Sequence, residues 1–102
     1  MIIRLVSMKF KPEHSDDFRA LFEATYPKIR QLPGCTFLQL VVDPDGPADF
    51  MTISHWQAAE DLDAYRDSEL FGEVWPQVKA MMRDKPWAKS YQVVAGDDVD
   101  VS

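Results

Sequence analysis

Apolar and polar residues alternate at the start of the chain: Val6, Met8 and Phe10 are interleaved with Ser7, Lys9 and Lys11, and Pro12 follows. A period of two in a β-branched and aromatic stretch predicts a strand over residues 2–11, ended by a proline that cannot donate to a ladder. The period then changes. Phe18, Leu21, Phe22, Ile29 and Leu32 fall at three- and four-residue steps or their multiples, which predicts one helix over 16–31 with a single buried stripe. Ser15 is the expected cap, Asp16 and Asp17 suit the positive helix end, and Pro33 with Gly34 supplies the stop.

Residues 35–43 read Cys, Thr, Phe, Leu, Gln, Leu, Val, Val, Asp, a strand with large apolar residues on both faces. Turn chemistry in Asp43, Pro44, Asp45, Gly46 and Pro47 predicts an antiparallel return over 50–56. A short helix over 58–65 is followed by a second helical run holding Leu70, Phe71, Val74, Val78, Met81 and Met82, capped by Ser68 or Asp67 and ended by Pro86. Residues 87–94 form the last strand. The order is β-α-β-β-α-β, an α+β domain of ferredoxin-like topology with an antiparallel sheet.

An internal repeat agrees with that order. Leu21, Phe22, Tyr26, Pro27, Ile29 and Arg30 match Leu70, Phe71, Trp75, Pro76, Val78 and Lys79 at one constant offset, as two halves related by a pseudo-twofold would. Each proline removes a donor and crowds the carbonyl four residues back, so a kink or break is expected at Pro27 and Pro76.

The sheet carries an argument for association. Helices cover one face of a four-stranded sheet, and in a monomer the other face is normally polar. Here strand two places Thr36, Leu38, Leu40 and Val42 on one side and Cys35, Phe37 and Val41 on the other, with Gln39 the one polar exception on the second side. About five to eight such side chains at roughly 1.5–3 kcal/mol each give the second face on the order of 10 kcal/mol, which rivals the net stability of a whole domain. A homodimer is the expected solution.

Size and charge narrow the rest. A chain of 102 residues has room for one core; residues 1–96 are read as the domain and 97–102, with Asp97, Asp98 and Asp100, as an acidic tail. A net charge of −6 repels phosphate and argues against nucleic acid. Cys35 is the one cysteine, which fits a reducing, cytoplasmic setting and leaves neither a disulfide framework nor a cysteine-rich zinc site. The apolar N-terminal stretch is too short for a membrane span or a signal segment.

Gly34 and Cys35, Trp56, the run Tyr65, Arg66, Asp67, Ser68, Glu69, Leu70, Phe71, and then Trp75, Pro76 and Lys79 together resemble the antibiotic biosynthesis monooxygenase domain over residues 2–94. The resemblance implies a dimeric α+β barrel with a pocket between helices and sheet in each protomer. The family hosts quinol and polyketide monooxygenases and haem-degrading enzymes, so fold alone does not select a reaction. The haem-degrading branch uses a histidine ligand on the second long helix, a tryptophan upstream of it and an asparagine in strand one; the matching positions here hold Trp75, Tyr65 and Val6. Indole offers only a donor and cannot bind iron.

The resemblance therefore implies a cofactor-independent monooxygenase acting on a small aromatic or quinol-like compound, with no metal. A dimer that binds a hydrophobic small molecule without catalysis is the alternative, haem degradation a remoter one. The candidate catalytic residues are His55, as base, and Tyr65; Trp75, Tyr91, Gln39 and Arg66 are candidates for substrate binding. Each has a structural counterpart reading, as a backbone-bonded histidine, an amphipathic core aromatic or a surface ion pair.

Overall fold

The computed structural model describes residues 1–97. Strands β1 (Ile2–Lys9), β2 (Cys35–Asp43), β3 (Gly46–Trp56) and β4 (Trp87–Gln92) form one sheet in the order β2-β3-β1-β4, every neighbouring pair antiparallel. Helices α1 (Ser15–Arg30), α2 (Ala59–Arg66) and α3 (Glu69–Ala80) supply the crossovers. β3 lies between the strands that α1 connects and β1 between the strands that the α2–α3 pair connects, which is the split arrangement of the ferredoxin-like fold. The acidic tail lies, from Asp98 onward, outside the described residues. Among the described residues no helix is long and apolar enough to cross a membrane.

Several boundaries differ from the sequence expectation for local reasons. β1 stops at Lys9 because Phe10 leaves the ladder to bridge Met82. A 3-10 turn at Pro12–His14 runs directly into α1, so Ser15 is the first helical residue and its side chain caps nothing. Ser68 does cap α3, its Oγ accepting from the Phe71 N–H at 3.2 Å. β3 begins at Gly46, earlier than residue 50, because a two-residue turn suffices; the Asp45 N–H donates to Asp43 Oδ1 at 2.8 Å. β4 ends at Gln92, the partner of Ile2. Neither Pro27 nor Pro76 breaks its helix. Both prolines are exposed, as are Glu23 and Gly72, so water can satisfy the carbonyls that lose a donor.

One irregularity changes which residues face the helices. The register between β2 and β3 shifts at Thr36, with Cys35 opposite Trp56 and Phe37 opposite His55. This bulge adds a residue and reverses the alternation. Cys35 therefore joins Leu38, Leu40 and Val42 on the helix side, packed with Ile29, Trp56 and Leu62, not the outer face with Phe37 and Val41.

The core lies in two parts beneath the helices. Phe10 is fully buried and stacks on Phe18 at 4.2 Å, with Phe50 edge-on to it at 5.9 Å. At the other end Trp56, 1% exposed, donates its indole N–H to the Ser54 hydroxyl at 3.0 Å, so a large aromatic is buried without an orphaned donor. Gly34 joins α1 to β2 with φ of 82°, and a Cβ there would strike the Asp61 side chain. Gly34→Ala should lower unfolding free energy by at least about 1–2 kcal/mol from the backbone term alone. Urea denaturation checks this; an unchanged midpoint would mean the turn has relaxed.

Candidate functional site

Between the helix layer and the sheet lies a cavity of about 270 Å³, near the lower end of the range for small-molecule sites. Its floor comes from alternate strand residues. Arg4 and Val6 of β1 lie opposite Ser54 and Thr52 of β3, all on the side to which the pleat directs every second residue. Its walls are the apolar stripes of α1 and α3, where Phe22 and Ile29 face Phe71, Trp75 and Val78. Most of these side chains belong to the repeated pattern, so the two halves supply opposite walls of one chamber.

Aromatic rings form a continuous ladder along one side. Tyr65 stacks on Trp56 at 5.3 Å and 16°, meets Phe71 edge-on at 5.3 Å and 83°, and Phe71 stacks on Trp75 at 5.7 Å. These offset and T-shaped contacts lock the rings. Burial, with a smaller contribution from Cys35, pushes the Tyr65 hydroxyl up to about 12, so at neutral pH it is a phenol that donates. No hydrogen bond among the described residues engages that hydroxyl, whereas the Thr25 hydroxyl is turned back onto the Leu21 carbonyl at 2.9 Å. Burial also raises the Cys35 thiol, offset in part by Arg30 and the Phe37 carbonyl, which keeps it an inert packing group.

The residues singled out in the sequence separate into two sets. Tyr65, Arg66 and Trp75 line the cavity together. His55, Gln39 and Tyr91 do not: His55 pairs with Ile3 and Phe37, Gln39 with Ile53, and Tyr91 with Ile3, which places all three on the outer face of the sheet. Period two is the reason, since His55 adjoins two cavity residues, Ser54 and Trp56, in sequence and must point away from both. His55 is 6% exposed, its ring lies 4.5 Å from that of Phe37, and its Nδ1 is buried without a partner. Burial lowers its pKa from the ordinary value. Tyr91 lies beneath the Lys89 ammonium at 5.3 Å.

Sequence reasoning passed over Arg4. A lone arginine in an apolar strand, on the same parity as Val6 and Met8, was the available signal, because parity with core residues places a strand residue on the core face.

The fold and chamber together define a small α+β protein with a helix-covered cavity above an antiparallel sheet. The chain belongs to the antibiotic biosynthesis monooxygenase family, whose sequence model matches residues 1–81. Among solved structures it is similar to an antibiotic biosynthesis monooxygenase at 27% identity and a TM-score of 0.87, over 93% of this chain and 100% of the other. A conserved protein from Methanosarcina mazei Go1 is 20% identical with a TM-score of 0.85 over 90% of this chain and 92% of that one. Rv0793 from Mycobacterium tuberculosis is 18% identical with a TM-score of 0.87, over 95% and 98%; these last two show the shared fold. No curated protein matches the sequence.

Spectrophotometric titration should show a tyrosinate absorbance step near pH 12 that disappears in Tyr65→Phe. A step at the ordinary phenol value assigned to Tyr65 would show that the ring is not enclosed as described.

Proposed function

We propose that the protein is a cofactor-independent monooxygenase that oxidises a small aromatic or quinol-like compound in this cavity. The observation that carries the reading is the chemistry of the lining: among the described residues its ionisable groups are a phenol held protonated and two guanidiniums, set among aromatic rings. A deprotonated aromatic substrate spreads its charge between carbon and oxygen. Donors fixed in a water-poor chamber stabilise that oxyanion, and the electron-rich carbon reacts with dioxygen. In an enolisable aromatic ketone the reacting CH2 becomes C=O, and in a hydroquinone the reacting ring C–H becomes C–OH as the ring becomes a quinone; in both the second oxygen atom leaves as water and the substrate supplies all four electrons. Tyr65 is the donor to the oxyanion, Trp75 and Arg66 hold the substrate, and His55, Gln39 and Tyr91 serve the outer face.

The haem-degrading alternative does not fit the chamber. Trp75 occupies the helical position of the iron ligand, and the lining contains no imidazole or thiolate. The second reading, a dimer that binds without turnover, draws support from one feature: among the described residues no histidine or carboxylate that could act as base lines the cavity. Oxygen uptake by the purified protein with hydroquinones and enolisable aromatic ketones separates the two. Uptake is expected, with kcat/KM falling about 100-fold in Tyr65→Phe as for loss of one oxyanion donor; binding without uptake would establish the non-catalytic reading.

The protein acts as a homodimer through the outer sheet face. Ile3, Leu5, Phe37, Met51 and Ile53 share that face with Trp87 and Tyr91, which are 48% and 44% exposed, and the unpartnered His55 Nδ1 lies among them. A second copy covers this surface, and a reducing, cytoplasmic setting suits Cys35 as a buried free thiol. Sedimentation should find dimers at micromolar concentration and monomers for Ile53→Asp. Because the folded state holds the His55 pKa below its ordinary 6.5, the unfolded chain takes up the proton first as pH falls. Stability should therefore decline below about pH 6.5 until the folded-state value is passed, and His55→Gln should flatten that slope. A wild-type slope equal to that of the variant would rule His55 out as its source.

A further inference from the structure

The cavity's charge runs against that of the chain. Acidic residues outnumber lysine and arginine 17 to 11, yet among the described residues no Asp or Glu lines the cavity, whereas Arg4 and Arg66 both do. Neither guanidinium joins an ion pair among the described residues, where the pairs are His14 with Asp17 and Arg83 with Asp49 and Asp84. Arg4 directs one N–H to the neutral Ser90 hydroxyl at 3.2 Å, which leaves most of its five donors available. Burial lowers the Arg4 pKa and the Arg66 charge lowers it further, so the two cations are within electrostatic reach and disfavour each other. An arginine in the last turn of α2 suits the carbonyl end of that helix. Arg4, in the middle of a strand, has no such account.

We propose that Arg4 and Arg66 form an anion clamp in the cavity lining, and that the ligand is a flat aromatic molecule bearing an oxygen anion, either a carboxylate or an ionised phenol or enol. The assignment deepens, and rests on, the reading of this cavity as the substrate site. Guanidinium forks match anionic oxygens with paired N–H donors, and the aromatic ladder takes the ring. The clamp also answers the missing base. With none in the lining, the substrate ionises through its own acidity, and two adjacent positive charges favour the anion of a bound phenol or enol.

The test is calorimetric titration of the full chain under nitrogen, at mildly alkaline pH and low salt, with 2-naphthoate, the anion of 4-nitro-1-naphthol and the neutral 2-naphthamide. At least one anion should bind about tenfold or more tighter than the amide, as charge-assisted hydrogen bonds allow, and the preferred anion tells carboxylate from phenolate. Arg4→Met and Arg66→Met should each weaken that preference and the double variant remove it, with amide affinity held within about twofold. Should Arg4→Met fail to fold, Arg66→Met, at an exposed position, carries the test. Equal binding of the three probes, binding of none, or a preference that survives in the double variant overturns the clamp. Because oxygen is excluded, the result is separate from catalysis. Anion-selective binding with no later oxygen uptake keeps the clamp and removes the monooxygenase reading; undiminished uptake in the double variant keeps that reading and removes the clamp.

Discussion

The in-register pairing of β1 with β3, from Ile2 opposite Trp56 to Lys9 opposite Asp49, is the constraint on which the rest of the molecule depends. These are the two central strands, and a pleated ladder permits only two orientations per residue. Once Trp56 faces the helices, Ser54, Thr52, Arg4 and Val6 must face them too, and His55, Ile53, Ile3 and Leu5 must face away. The chemistry of the cavity and the greasiness of the opposite face are two results of one register.

A sheet floor and two helical stripes would normally close on each other, since interiors pack to crystal-like density. Here a cavity remains between them, lined by large rings. The stacked and edge-on contacts running from Trp56 through Tyr65 and Phe71 to Trp75 are satisfied along the wall, and the space beside them stays open. Tyr65, Arg4 and Arg66 line that space, donors in an apolar setting where each is electrostatically stronger than in water. On the proposed reading such a site stabilises an oxyanion and does not create one by taking a proton.

The outer face has the opposite problem. Its apolar residues and the orphaned His55 Nδ1 are costly while open to water or unpaired, and burial disfavours the charged imidazole. The same histidine that sequence chemistry offers as a base is, by its position, a group whose protonation opposes burial of this face.

By itself the sequence determined the element order, the hairpin, the Ser68 cap, the helical stripes and the repeat that links Phe22 with Phe71 and Ile29 with Val78, because each is written in local periods and turn chemistry. The family kinship was legible for the same reason, in residues such as Trp56, Tyr65 and Phe71. What only the tertiary structure decided is which candidates meet. Period two says that neighbours on a strand part company, but not which face the helices choose; the bulge at Thr36 reverses that choice for Cys35 without any mark in composition. Arg4 and Arg66 are far apart in the chain, and only the tertiary structure, through a strand and a helix end, brings both to the lining of one cavity, where no carboxylate from the described residues joins them.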